Sequence, residues 1–184
     1  MAHVLDALFH PAAAAIIGAS TDPTKIGGRP VHFTKQRGFT GKLYPVNSRA
    51  TEVQGLPAFP DLAAIGEAVD CAIVSVPAPA VTGAIEQCAE TGVKIAAVFS
   101  SGFAEMGADG AKSQVRLLDI ARAGNVRLLG PNCMGAFFVS SNWYVTFTTA
   151  FDHYGVNGWP NPGGLSTPTQ PAAVGVHIRI LLFH

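Results

Sequence analysis

The chain has 184 residues, of which 48% are hydrophobic and only 13% charged, with 20 glycines and zero formal net charge. That is enough apolar material for one sizeable core and too little charge for a disordered chain, and without a lysine-rich run a broad nucleic-acid footprint is excluded. Cys71, Cys88 and Cys133 share no metal-ligand spacing and are odd in number, which fits reduced thiols and no metal site. The first ten residues lack a basic region and a long apolar core, and no apolar run reaches membrane-spanning length, so a cytoplasmic protein without a membrane partner is expected.

In chain order, residues 3–10 read as a short helical turn stopped by Pro11. A first strand at 14–17 is followed by a glycine-rich loop and a helix at 27–37, with Pro30 in its first turn, where a missing N–H costs nothing. A second strand occupies 42–46. After a loop at 54–60, Asp61 caps a short helix to 67. The run 71–76 is apolar throughout, the mark of a strand buried on both faces. Pro77 and Pro79 break it and open a helix at 80–91. A strand at 94–99, a helix at 110–123 and a short strand at 127–129 complete the alternation. Strand and helix alternate five times, which predicts an α/β doubly wound parallel five-stranded sheet with helices on both faces. Residues 136–164 read as an irregular C-terminal extension and linker, with a strand or extended arm at 143–149, and 165–184 as the truncated start of a second domain.

Right-handed crossovers bring the carboxyl ends of all five strands to one edge, where such sheets bind ligands. The first loop carries Gly18, Ala19, Ser20 and Lys25 before Gly27 and Gly28. Glycine lets backbone come close to an anion, and free N–H groups at a helix start favour negative charge. The spacing departs from G-x-G-x-x-G, so it indicates a phosphate-bearing nucleotide more than a particular dinucleotide. Where a dinucleotide site has a carboxylate for the ribose, the second strand ends in Asn47, Ser48 and Arg49. A ligand with a phosphate on the ribose fits better; NADP and coenzyme A both qualify, with Lys25 and Lys42 adding charge. Val76, Pro77 and Ala78 form an apolar shelf suited to a base or a pantetheine arm.

Five stretches occur together: Ile17-Gly-Ala-Ser-Thr-Asp-Pro-Thr-Lys-Ile-Gly-Gly28, Tyr44-Pro-Val-Asn47, Val76-Pro-Ala-Pro79, Ser100-Ser-Gly-Phe-Ala-Glu105 and Leu129-Gly-Pro-Asn-Cys-Met-Gly135. In this combination the chain resembles the NDP-forming acyl-CoA synthetases, over roughly residues 9–164, and specifically the Rossmann-like CoA-binding domain they share with the succinyl-CoA synthetase α subunit. The resemblance implies that residues 1–135 are that domain. It places CoA phosphates on Gly18, Ala19, Ser20 and Lys25, and the phosphorylated ribose by Asn47 with Lys42 or Arg49. Val76, Pro77 and Ala78 would pack on the nucleotide. Ser100, Ser101, Gly102 and Phe103 would line the pantetheine path, and the loop at 130–135, Asn132 included, would floor the acyl end. In the family, acid, CoA and a nucleoside triphosphate give acyl-CoA, NDP and phosphate through an acyl phosphate and a phosphohistidine, with an ATP-grasp domain holding the nucleotide and its Mg.

The family's phosphohistidine lies in a second domain, of which this chain is expected to carry only the start. Where relatives read Val-Ser-Gln-Ser-Gly-Ala, the chain reads Pro168-Thr-Gln-Pro-Ala-Ala173, and His153, His177 and His184 sit in no matching context. No catalytic residue is therefore assigned. The expected function is a CoA- or acyl-CoA-binding module, inactive alone. The alternatives are a CoA-delivering subunit that works with a phosphohistidine and ATP-grasp chain, or an NADP-binding oxidoreductase or redox sensor. A homo-oligomer is left open. Cys133 invites a nucleophile reading, but with no histidine beside it in sequence a small loop filler is favoured.

Overall fold

A computed structural model describes residues 5–149. Nine strands lie among them. Five form a central parallel sheet: β1 (Ala13–Ile17), β2 (Lys42–Val46), β5 (Cys71–Val74), β6 (Ile95–Val98) and β7 (Arg127–Leu129), in the order β2-β1-β5-β6-β7. The others make two small antiparallel pairs, β3 (Glu52–Val53) with β4 (Leu56–Pro57), and β8 (Gly135–Phe138) with β9 (Trp143–Thr146). Every residue of β1, β5 and β6 is buried, as the continuous apolar runs require. β2 and β7 form the edges and are partly exposed. The register sets Ile17 beside Val46 and Val74, so the strands finish level at one edge.

Strand alternation divides the core into two layers. On one face, Ala15, Ile17, Ala72, Val74, Ala96 and Val98 meet α3 (Ala78–Glu90) and α4 (Ala108–Ala123). Helix α3 supplies Val81, Ala84, Ile85 and Cys88, and α4 supplies Leu117 and Ala121, each set at helical spacing. On the other face, Ala14, Ile16, Ile73 and Ala97 meet Val31 of α2 (Arg29–Gln36) and the hairpin of β8 and β9. Trp143 is fully buried there, its ring 5.1 Å from Phe39. The short helix α1 (Asp6–Phe9) closes that layer, with Phe9 5.1 Å from Phe138.

The hairpin corrects part of the sequence reading. The stretch expected as an irregular extension begins with regular structure, because Ala136, Phe138, Trp143 and Val145 alternate inward and cover the face that α2 alone leaves open. Two further differences are local. A two-residue turn, Gln54 and Gly55, both at positive φ, joins β3 to β4 where a plain loop was expected. Asp61 does cap the next turn, accepting from the Ala64 N–H at 2.8 Å, but Gly66 at φ 69° ends it after a single 3-10 turn, Ala63–Ile65. The readings of His153, His177, His184 and the segment 165–184 lie outside the described residues. No described helix is long and apolar enough to cross a membrane.

Candidate functional site

The carboxyl ends of β1, β5 and β6 open onto a cleft of about 650 Å³. Gly18, Ser20, Lys25, Val76, Pro77, Ala78, Ser100 and Ser101 line it, eight of the residues the sequence nominates, joined by Phe99 and Ile26. A second cleft of about 630 Å³ continues toward β2 and contains Ala19, Asn47 and Arg49, with Pro60 and Gln87. Gly18 and Val76 border both. The two clefts thus form one track across the sheet edge.

The loop from β1 to α2 is packed backbone against backbone. Gly18, at φ 82°, donates its N–H to the Val46 carbonyl at 3.0 Å; a Cβ there would lie 2.4 Å from the Ser75 carbonyl oxygen. A Cβ on Gly27 would lie 2.1 Å from the Gly18 carbonyl oxygen. Side chains at either position would force the loop off the sheet. Asp22 holds the loop's outer turn, accepting from the Thr24 N–H at 2.9 Å and hydroxyl at 2.7 Å, contacts that lower its carboxyl pKa. The main-chain amides of Ile26, Gly27, Ser100 and Ser101 take no partner among the described residues. Four open donors on one cleft, two of them at the foot of α2, suit an anion.

Lys25 and Arg49 stand exposed on the rims of the two clefts with no ion-pair partner among the described residues. Asn47 lines the second cleft beside Arg49, and its side chain is engaged with the neighbouring loops. Its amide donates to the Ala19 carbonyl at 2.8 Å, and its oxygen accepts from the Arg49 and Ala50 amides at 2.8 and 3.0 Å. It ties the two loops together and presents Arg49. Ser100 donates its hydroxyl to the Val76 carbonyl, joining the shelf to the β6 loop.

Four nominated residues, Lys42, Gly102, Phe103 and Asn132, line neither cleft. Lys42 opens β2 opposite Ala13, about 13 Å from the strand's carboxyl end, and its ammonium pairs with Glu67. A residue at the start of a parallel strand cannot serve the edge where that strand finishes. Phe103 is 3% exposed and belongs to the core between the sheet and α4; Phe99 takes the cleft position instead, because it follows β6 directly. Asn132 is exposed, and its backbone N–H donates to the Ser100 carbonyl at 3.0 Å, so it braces the β6 loop from behind. Gly102 borders the site through backbone contact: a Cβ there would lie 2.8 Å from the Ala78 Cβ. Its N–H donates to Glu105 at 2.6 Å, which holds that carboxyl below its ordinary value and fixes the loop.

Cys133 is buried, with its Sγ 3.3 Å from the Val98 carbonyl oxygen, and burial pushes the thiol pKa up, the opposite of an activated nucleophile. Among the described residues no group of histidine, cysteine and carboxylate side chains could hold a metal.

The CoA binding domain model matches residues 12–138, from the start of β1 through the first strand of the hairpin. The chain belongs to the CoA binding domain family. It is 40% identical over 140 residues to acetate–CoA ligase [ADP-forming] II of Archaeoglobus fulgidus, covering 76% of this chain and 21% of that protein. It is 34% identical over 178 residues to the α subunit of acetate–CoA ligase [ADP-forming] I of Pyrococcus furiosus, covering 94% and 36%. The solved apo dinucleotide-forming acetyl-coenzyme A synthetase 1 of Ca. Korarchaeum cryptofilum superposes with a TM-score of 0.75 at 39% identity, over 78% of this chain and 31% of that one. The chain spans well under half the length of the curated relatives it matches. As a CoA binding domain it is similar to a portion, about a third, of the α subunit of one of these relatives.

Proposed function

We propose that this chain binds coenzyme A along the track, and that it is the CoA-holding part of an NDP-forming acid–thiol ligase. The observation that carries the reading is the pair of clefts meeting at Gly18 and Val76, with one exposed cation on each rim and an apolar shelf between them. Open amides at Ile26 and Gly27 with Lys25 would take the diphosphate. Arg49 would take the ribose phosphate, since the end of β2 offers no carboxylate to bind free ribose hydroxyls. Val76, Pro77 and Ala78 give a dry surface with few competing donors, and Phe99, Ser100 and Ser101 would guide the pantetheine arm. In the complete enzyme, a second chain or domain would supply the phosphohistidine and the ATP-grasp site for NTP and Mg, and this chain would contribute CoA.

A titration with CoA, dephospho-CoA, NAD and NADP, followed by thermal unfolding, tests this. A ligand at a hundred times its dissociation constant stabilises by about 2.7 kcal/mol, several degrees for a domain of this size. The expected order is CoA above dephospho-CoA, with NAD inert. Stabilisation by NADP and none by CoA would replace the reading with a dinucleotide enzyme.

A further inference from the structure

The turn between β3 and β4 holds an anomaly. Four non-glycine residues have left-handed backbone among the described residues; three are asparagines, which tolerate it, and the fourth is Gln54 at φ 52°. Asn-Gly is the favoured pair for such a turn. Glutamine gives up that advantage for one extra methylene of reach.

The reach is used. The side-chain Nε2 donates to the Ser20 carbonyl at 2.9 Å and to the Gly28 carbonyl at 3.0 Å, so both amide hydrogens are engaged. Those carbonyls stand at the two ends of the loop that carries Lys25 and the open amides of Ile26 and Gly27. The Gly28 carbonyl also accepts from the His32 N–H at 3.0 Å, which seats the bridge on the first turn of α2. A trans peptide sets its carbonyl and the following N–H on opposite sides. Drawing the Ser20 carbonyl toward Gln54 therefore turns the Thr21 N–H the other way, and that donor has no partner among the described residues. Gln54 is itself anchored. The Lys35 ammonium donates to its main-chain carbonyl, and Val53 before it is fully buried.

We infer that Gln54 is a positioning residue: it spans the phosphate loop from Ser20 to Gly28 and presets the loop's open amides for an anion it does not itself touch. This rests on the coenzyme A reading above, with the diphosphate on that loop.

Calorimetric titration of the whole chain with CoA and dephospho-CoA tests it, using Gln54→Gly and Gln54→Glu with Arg49→Ala as reference. Gln54→Gly keeps the left-handed turn and relieves its strain, so the free protein melts no lower than wild type. Its affinity for both ligands falls about tenfold, by the same factor, because both carry the diphosphate. Gln54→Glu has the same length, no donors and a charge facing two carbonyls, and falls further. Arg49→Ala weakens CoA and spares dephospho-CoA. Equal affinities in wild type and Gln54→Gly overturn the inference and leave the coenzyme A reading standing. A Gln54→Gly protein that loses stability along with affinity marks an ordinary structural tie and also overturns it. A wild-type protein that binds neither ligand overturns both.

Discussion

The two edges of the same sheet treat charge in opposite ways. At the amino edge Asp70 and Lys42 are paired, while Arg127, which opens β7, has no ion-pair partner among the described residues. Asp70 accepts from the Lys94 ammonium at 2.6 Å and from the Ala12 and Ala13 amides at 2.9 and 3.3 Å. Lys42 pairs with Glu67, which also accepts from the Tyr44 hydroxyl at 3.1 Å. At the carboxyl edge, Lys25 and Arg49 have no ion-pair partner among the described residues, and four amides on the cleft have none. Paired charges at strand starts hold the sheet together; unpaired donors at strand ends are left for a ligand. A cation near a strand is therefore informative only once its end of the strand and its partner are known.

The contrast breaks most severely at Gly27. A methyl group there would sit 2.1 Å from the Gly18 carbonyl oxygen and 3.3 Å from the Ser75 hydroxyl, and the first of these is backbone that cannot swing away. Gly27→Ala is expected to cost about 3 kcal/mol in urea unfolding, at the upper end for overpacking, and to abolish CoA stabilisation. Gly38 gives the comparison: its surroundings are open, so Gly38→Ala meets only the left-handed strain of φ 75°, about 1 kcal/mol, with CoA binding kept. Equal costs at the two glycines would refute the close-packed loop.

A smaller effect separates the cations. Lys25→Ala with Arg49→Ala should weaken CoA about thirtyfold by titration, the scale of lost charge-assisted contacts, with unfolding unchanged. Lys42→Ala should leave affinity within about twofold of wild type. Its pKa is raised by hydrogen bonding to Glu67, but both groups are exposed, and such pairs contribute little to stability. If Lys42→Ala weakened CoA as much as the double variant, the assignment of the two edges would be wrong.

Much of this was legible before the structure. Apolar runs, glycine punctuation and Pro30 placed all five parallel strands, and β2 and β7 came out with the bounds expected. The clefts collected Gly18, Ser20, Lys25, Arg49 and Val76 because topology alone sends those loops to one edge. What the sequence concealed was side-chain direction and long-range contact. Phe103 and Phe99 are both buried aromatic residues beside one loop, one in each core layer, and only packing decides which of them also borders the cleft. Asn47 lines the second cleft, and the sequence could not show that its hydrogen bonds bind loop to loop. Of the hairpin at 135–146, the second strand was among the readings of 143–149, but the first and the pairing escaped, because Gly135–Phe138 is short and mixes aromatic and small residues, a pattern that reads as irregular until a sheet face needs covering. Gln54 looked like a loop residue; its partners lie 34 and 26 positions away.

The mildest test concerns Asp70, which sharpens the amino side of the comparison. Burial by itself would raise its carboxyl pKa, but the Lys94 ammonium and the two backbone amides outweigh it and hold the group below its ordinary value of about 3.9. A carboxyl whose folded pKa lies below its unfolded one stabilises fully above the unfolded value and loses that contribution as pH falls through the folded one. With the side chain only 21% exposed, Asp70→Asn should cost about 1.5 kcal/mol at pH 7 by urea unfolding, while CoA affinity stays within about twofold of wild type. The gap between variant and wild type should begin to narrow below about pH 4, where the unfolded chain protonates, and close only once pH falls past the lowered folded value. A gap that persists undiminished in acid would mean that Asp70 holds the amino edge through its shape and hydrogen-bonding pattern, and not through its charge.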